Sequence, residues 1–194
     1  MGLYYYDKAF LEKLNSWKAN SQLQIVGPDE VSRLLQVVAD NNDDKPVKLP
    51  LVCLTRRAGF TINNTNKRVL AFDGATKDAT IEKSLQLNAI PITIPYQLDV
   101  YTRYLREADE LARNIVFNVI NSPKLTVTIP YNGINLEHDS NIRLSSEVTD
   151  NSSIPERLVP GQFTRLTFNI DIDDAYLFDA RLRDNYIIDA QIDY

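Results

Sequence analysis

Three carboxylates near the C-terminus, Asp171, Asp173 and Asp174 in "DIDDAYLFD", come closest in type and spacing to a reactive set. Carboxylate oxygens are hard ligands, so three within four positions could hold a divalent cation and serve a metal-dependent enzyme. The calcium-loop spacing fails, however. Counted from Asp171, Tyr176 stands where that loop needs glycine and Leu182 where it needs its closing glutamate. Solvated carboxylates at a strand end are the simpler reading. The single cysteine, Cys53 in the apolar run "LPLVCLTRR", excludes an intrachain disulfide and reads as a small buried hydrophobe. The single histidine, His138, lies between Glu137 and Asp139 and reads as an exposed strand residue. Nothing local supports pairing it with Cys53 for nucleophilic catalysis. Asp99 falls opposite an aliphatic strand face and reads as an exposed charge. Nucleophile-elbow, dinucleotide-loop and paired-cysteine zinc motifs do not occur. The chain therefore reads as a non-enzyme with no catalytic residue, cofactor or metal.

These residues must be positioned by elements, and the pattern of the chain defines several. Residues 7–19 place Phe10, Leu11, Leu14 and Trp17 on one helical stripe, and "QLQIV" after them is a short strand. A second helix is expected from "GPDEVSRLLQVVADN", with Pro28 at its first position and Val31, Leu34, Leu35 and Val38 on its apolar face. Residues 49–56 read as a buried strand. The polar segment about 56–88 reads as a long loop or inserted hairpin. Its basic cluster, Arg56, Arg57, Lys67, Arg68 and Lys77, has no phosphate-binding glycine fingerprint and reads as a solvated face.

The segment "ITIPYQLDVYTRYLREADELARNIVFNVINSPKLTVTIPY", from Ile92 to Tyr131, reads as strand, helix, strand. Ile92, Ile94, Tyr96, Leu98 and Val100 share one face at period two. Pro91 and Pro95 argue for an edge, a strand start or a bulge. Thr102 is the expected helix N-cap, and the "NSP" at 121–123 ends the helix. Asn132-Gly133 then favours a tight hairpin to "INLEHDSNIRL". A polar loop over 145–162 precedes the alternating strand "FTRLTFNIDI". The expected fold is a two-layer α+β domain over 1–172, with a mainly antiparallel sheet of four or five strands backed by two or three helices. An acidic arm follows over 173–194.

Length and composition set the function class. At 194 residues, 44% hydrophobic and 24% charged, the chain is an ordinary globular domain. It contains no apolar run long enough for a membrane-spanning helix, and its opening residues lack the pattern of a secretory leader. The last 24 residues hold seven of the 26 acidic residues and two of the 21 basic ones. Residues 1–170 thus balance at 19 of each sign, and the net charge of −5 sits at the C-terminus. That distribution argues against nucleic-acid binding, which needs a basic surface. Ten tyrosines fit protein contacts and equally the ordinary abundance of tyrosine in strands, while an arm alternating Asp with Leu, Ile and Tyr points to protein contacts. The expected interface residues are Arg56, Arg57, Lys67 and Arg68 in the basic segment, with Asp173, Asp174, Tyr176, Asp179, Tyr186 and Tyr194 in the arm. The arm is expected to meet the basic 56–77 segment of a neighbouring copy.

The strand–helix stretch from Ile92 to Ile120 resembles the core of phage tail terminator and related neck proteins. Leu98, Asp99, Val100 and Tyr101 match the family's strand, and Glu107, Ala108, Asp109 and Leu111 its acidic, leucine-containing helix. An early helix, a long intervening loop and later hairpin strands fit the same outline across residues 28–172. The 56–88 insertion and the acidic arm depart from compact members. The resemblance implies a non-enzymatic virion protein forming a homo-oligomeric ring, expected as a hexamer, at the head-proximal end of the tail. Such a ring would stop tail-tube growth and join the tube or sheath protein to the head connector. A baseplate or head-completion role is the nearest alternative.

Overall fold

The computed structural model describes residues 3–18, 23–28, 30, 49–63, 69–75, 84–131, 134–152 and 163–178. Helix α1 spans Tyr4–Ser16, strand β1 Gln24–Val26, β2 Leu51–Arg56, β3 Thr61–Ile62 and β4 Val69–Ala75. Strand β5 spans Ser84–Thr102, helix α2 Leu105–Asn121, and strands β6, β7 and β8 cover Lys124–Tyr131, Ile134–Asp150 and Thr164–Phe178. The fold is α+β with a mixed sheet in the order β1-β2-β5-β8-β7-β6. Every neighbouring pair along that path is antiparallel except β1–β2. The expected antiparallel sheet of four or five strands is thus compatible with β2, β5, β8, β7 and β6. Strands β3 and β4 add to it within the segment expected as a loop or hairpin.

The 19-residue β5 organises the sheet. On one side it pairs with β8 from Ala89 to Thr102, and on the other with β2, β3 and β4 in succession. Pro95 and Pro91 sit at the junctions of that succession. The Pro95 carbonyl accepts from the N–H of Arg57, the first residue past β2, at 3.0 Å. The Pro91 carbonyl accepts from Asn63, the first residue past β3, at 3.1 Å. Each proline therefore aims its missing donor at a gap between partner strands, where no ladder bond is lost. The strand is not the edge that the prolines allowed but a central one whose partner changes, and the bulge they also allowed lies between them, against β8 at Ile92 to Ile94.

Alternation along β5 is complete from Ile92 to Val100. Ile92, Ile94, Tyr96, Leu98 and Val100 are all buried and share a core with Phe168, Ile170 and Ile172 of β8. Helix α1 adds Tyr6, Phe10 and Leu14 to this face, and α2 adds Ile115 and Val119. Both described helices thus cover one side of the sheet. Helix α1 touches the two terminal strands of the path, β1 and β6, so the sheet curls around it. Beyond β1, Gly27 approaches α1 so closely that an added Cβ would lie 3.0 Å from Leu11. Its N–H donates to Glu30 Oε2 at 3.3 Å and its carbonyl accepts from the Glu30 N–H at 3.1 Å, with Pro28 between them, as a helix start requires. The apolar face expected for that helix, Val31 to Val38, lies outside the described residues.

Helix α2 begins differently from the expectation. Tyr104 is its N-cap, and Thr102, the last residue of β5, is fully buried with its hydroxyl donating to the Tyr104 carbonyl at 3.0 Å. The hydroxyl fixes the corner between strand and helix rather than capping the helix. Two strands also outrun their expected ends. β7 continues through the polar "SSEVTD" to Asp150, with a register shift between Leu144 and Val148. β8 continues to Phe178 past the expected start of the arm at 173.

A polar clamp ties α1 to the sheet. Asp7 accepts from Arg56 Nη1 at 2.9 Å and from the Tyr96 hydroxyl at 2.7 Å. Burial, reinforced by the Asp7 charge, raises the Tyr96 pKa well above its ordinary value and keeps the phenol a donor. Asp7→Ala strands both partners and is expected to cost about 2–4 kcal/mol in chemical denaturation. Tyr96→Phe, which keeps the ion pair, is expected to cost about 1 kcal/mol. Equal losses for the two variants would contradict the clamp.

Candidate functional site

The second face of the sheet carries Asp99, Asp171 and Asp173 among the charged residues that the sequence singled out. Gln97, Asp99 and Tyr101 of β5 point to it, opposite Asn169, Thr167 and Arg165 of β8. Near β1 and β2 this face is covered: Leu51, Cys53 and Tyr101 are buried, with Val26, Leu49 and Phe163 packed against them. Cys53 is thus the buried hydrophobe it was expected to be. Phe163 lies just outside β8 and joins this second cluster, whereas Leu166, Phe168 and Ile170 face the main core. That division accounts for the break in alternation near Arg165.

Asp99 corrects the reading of an exposed strand charge, because it is only 5% exposed. One oxygen accepts from Thr167 Oγ1 at 2.6 Å and from Arg165 Nε and Nη2 at 3.2 and 3.1 Å. The other accepts from Gln97 Nε2 at 2.8 Å. The Arg165 guanidinium also lies 5.5 Å from the Tyr101 ring centre. These bonds fill the lone pairs of the buried carboxylate and offset the cost of removing it from water. Sequence reasoning placed Asp99 on the correct face but could not see that the face is covered.

Farther along, toward β6, the same face is open. Arg143 of β7 spans Asp171 at 2.9 Å and Asp173 at 2.6 Å. Thr93 Oγ1 donates to Asp173 at 2.9 Å, and the pairing with Arg143 holds the Asp173 carboxyl below the usual carboxylate range. Asp171 and Asp173 therefore converge on a guanidinium. Asp174 is turned away by a bulge, where three residue steps on β8 oppose two on β5 between Ile92 and Ile94. Its φ of 56° is left-handed, a conformation Asp tolerates better than most residues. The Asp174 carboxylate accepts from Asn141 Nδ2 at 2.8 Å, and its carbonyl from Ser140 Oγ at 3.2 Å. Among the described residues no group of three His, Cys, Asp or Glu side chains is placed to hold a metal ion.

His138 and Tyr176 meet at this bulge. Their rings contact edge to face at 4.5 Å, and His138 Nε2 lies 2.6 Å from the Asp174 carbonyl oxygen. His138 is half-buried, not exposed as expected, because Tyr176 and the bulge close over it. The Tyr176 N–H donates to the Tyr6 hydroxyl at 2.8 Å, so the bulge is also tied to α1. Burial pushes the Tyr6 phenol up to about 12.

The remaining expected interface residues divide into three groups. Arg56 belongs to the α1 clamp, and Arg57 is exposed and donates to Asn169 Oδ1. Asp173, Asp174 and Tyr176 lie together on the last turn of the β8 ladder. Lys67, Arg68, Asp179, Tyr186 and Tyr194 lie outside the described residues, as do Lys77 of the basic cluster and the Asn132-Gly133 turn. No family model matches the chain, and no curated protein matches it. Among the described residues, no helix is long and apolar enough to cross a membrane.

Two outcomes test these assignments. Asp99→Ala leaves Arg165 buried without its main partner and is expected to cost about 3–5 kcal/mol in urea unfolding. Asp99→Ala with Arg165→Met should recover more than half of that loss, and no recovery would contradict a paired role. Burial holds the His138 pKa below its ordinary 6.5, against the opposing pull of the Asp174 carbonyl. The unfolded chain therefore takes up this proton first, and stability present above 6.5 is lost as pH falls through the folded value. Tm should fall between about pH 7.5 and about pH 5.5 and His138→Gln should flatten that slope, whereas Asp173 matters only below its ordinary carboxylate range.

Proposed function

We propose that this chain is a structural, ring-forming component of a phage virion, acting as a tail terminator at the head-proximal end of the tail. In this reading its partners are further copies of itself, the tail-tube or sheath protein and the head connector. The observation that carries the proposal is apolar surface left open on rigid elements. Phe60, Ile62 and Ile90 around β3 and β5 are each at least 40% exposed, and Leu105, Phe117 and Ile120 on α2 at least 58%. Large apolar side chains grouped on strands and helices mark contact surfaces in soluble proteins. A closed ring needs two different surfaces that meet head to tail, and the group around β3 and β5 is suited to one of them. The strand–helix unit that carries the family resemblance supports the same reading. Two of its polar residues are used inside the fold: Asp99 pairs with Arg165, and Thr102 holds the corner into α2.

The acidic arm adds a testable element. Residues 171–178 are strand paired to β5 and β7, so a shortened chain must end at Phe178 to leave the sheet intact. The full chain is expected to run in light scattering as a closed oligomer of several copies, six by the family expectation. Removing residues 179–194 should shift the population toward smaller species, most strongly at low salt, where charge pairing is least screened. A chain that is monomeric at every concentration would overturn the ring. Unchanged assembly without residues 179–194 would remove the arm from it.

A further inference from the structure

Helix α2 buries Ala108, Ile115 and Val119 against the sheet and turns another face outward. Along that outward face runs a row at four-residue spacing: Leu105, Asp109, Arg113 and Phe117, all exposed. Residues four apart lie above one another on a helix, about 6 Å per step, so this row forms a continuous ridge. Its order is apolar, acid, base, apolar. The exposures of Leu105 and Phe117 are 60% and 58%, and Ile120 beside Phe117 is 66% exposed. Arg106 is paired with Glu110 on the same helix. Asp109 and Arg113 have no ion-pair or hydrogen-bond partner among the described residues. They are opposite charges held on a regular helix between two apolar ends.

We infer that the outer face of α2 is a two-fold docking surface for a second copy of this chain. The ridge is complementary to itself when read backwards. With two copies of α2 antiparallel about an axis level with Leu111, Leu105 meets the partner's Phe117 and Asp109 meets the partner's Arg113. Each contact occurs twice, as an isologous interface requires. A parallel arrangement would instead set Asp109 beside the partner's Asp109 and Arg113 beside the partner's Arg113, which repel. Side-by-side rows at i, i+4 spacing are also the commonest way in which helices pack. The inference does not rest on the ring, whose head-to-tail contact is a different kind of interface. A ring with this face would pair back to back with another ring, and a chain without the ring would form a dimer.

The test uses full-length protein and two charge reversals, Asp109→Arg and Arg113→Asp, with association measured by sedimentation across a concentration series. Both positions are exposed, and circular dichroism confirms that each variant folds. Alone, Asp109→Arg sets arginine against the partner's Arg113, and Arg113→Asp sets aspartate against the partner's Asp109. Each variant should weaken the two-fold step by at least about tenfold. An equimolar mixture pairs unlike copies, with arginine facing aspartate at both sites, and should return to within about threefold of the unaltered protein. Phe117→Asp should abolish the step in every combination. The inference is overturned if the unaltered chain shows no two-fold step, if single reversals associate normally, or if mixing restores nothing. The last result would assign this face to the chain's own C-terminal segment or to another protein. Ring-sized species that persist in the single reversals would leave the ring intact, so the two failures are distinguishable.

Discussion

The structure depends on the hydrogen-bond and side-chain alternation of one strand, β5. Its backbone joins β8 on one side to β2, β3 and β4 on the other, so most of the sheet is connected through it. Its side chains alternate strictly, and a shift of one residue would move Asp99 into the aliphatic core and Leu98 onto the polar face. Both errors would be costly, since one buries an unpaired charge and the other exposes a core residue. The two prolines fit because partner strands end beside them. The register of the domain is thus set by a few residues that are each intolerant of displacement.

Each face of β5 carries polar ties as well as apolar packing. On the helix side, Tyr96 and Arg56 hold Asp7 and so fix α1 across the curled sheet. On the other side, Arg165, Thr167 and Gln97 hold Asp99. Buried ion pairs are weak sources of net stability, but losing one partner is expensive, which makes them effective at specifying a single arrangement. The consequence for function is positional. The corner into α2 is fixed by the Thr102 hydroxyl, and the bulge at Asp174 by Ser140, Asn141 and the bond from Tyr176 to Tyr6, and the outward surfaces of α2 and β8 follow from them.

The sequence made β5 legible because period-two alternation over Ile92 to Val100 reports burial on one face directly. The α2 helix was equally clear from its apolar spacing and from Pro123. What the pattern could not report was coverage of the second face, which depends on Phe163, Leu49 and Val26 arriving from elsewhere in the chain. Asp99 was misread for that reason, and His138 because Tyr176 and the bulge on β8 close over it. Strand ends were missed where bulges interrupt alternation, at Leu144 to Val148 on β7 and beside Asp174 on β8. Strands β3 and β4 stayed hidden because their partner is the polar, earlier part of β5. The interface residues were legible as charge and aromatic clusters, but not as partners: Arg56 serves α1, and Asp173 serves Arg143.

The proposed assembly role needs a scaffold that stays rigid while its outer surfaces engage partners, and β5 would supply that rigidity. Native-state hydrogen exchange tests this most directly. The account predicts that ladder amides of β5 between Tyr96 and Thr102, with their β8 partners, exchange only through global unfolding, with the same free energy as denaturant unfolding. Exchange of those amides through local opening at clearly lower free energy, while α1 or β6 remained protected, would contradict it.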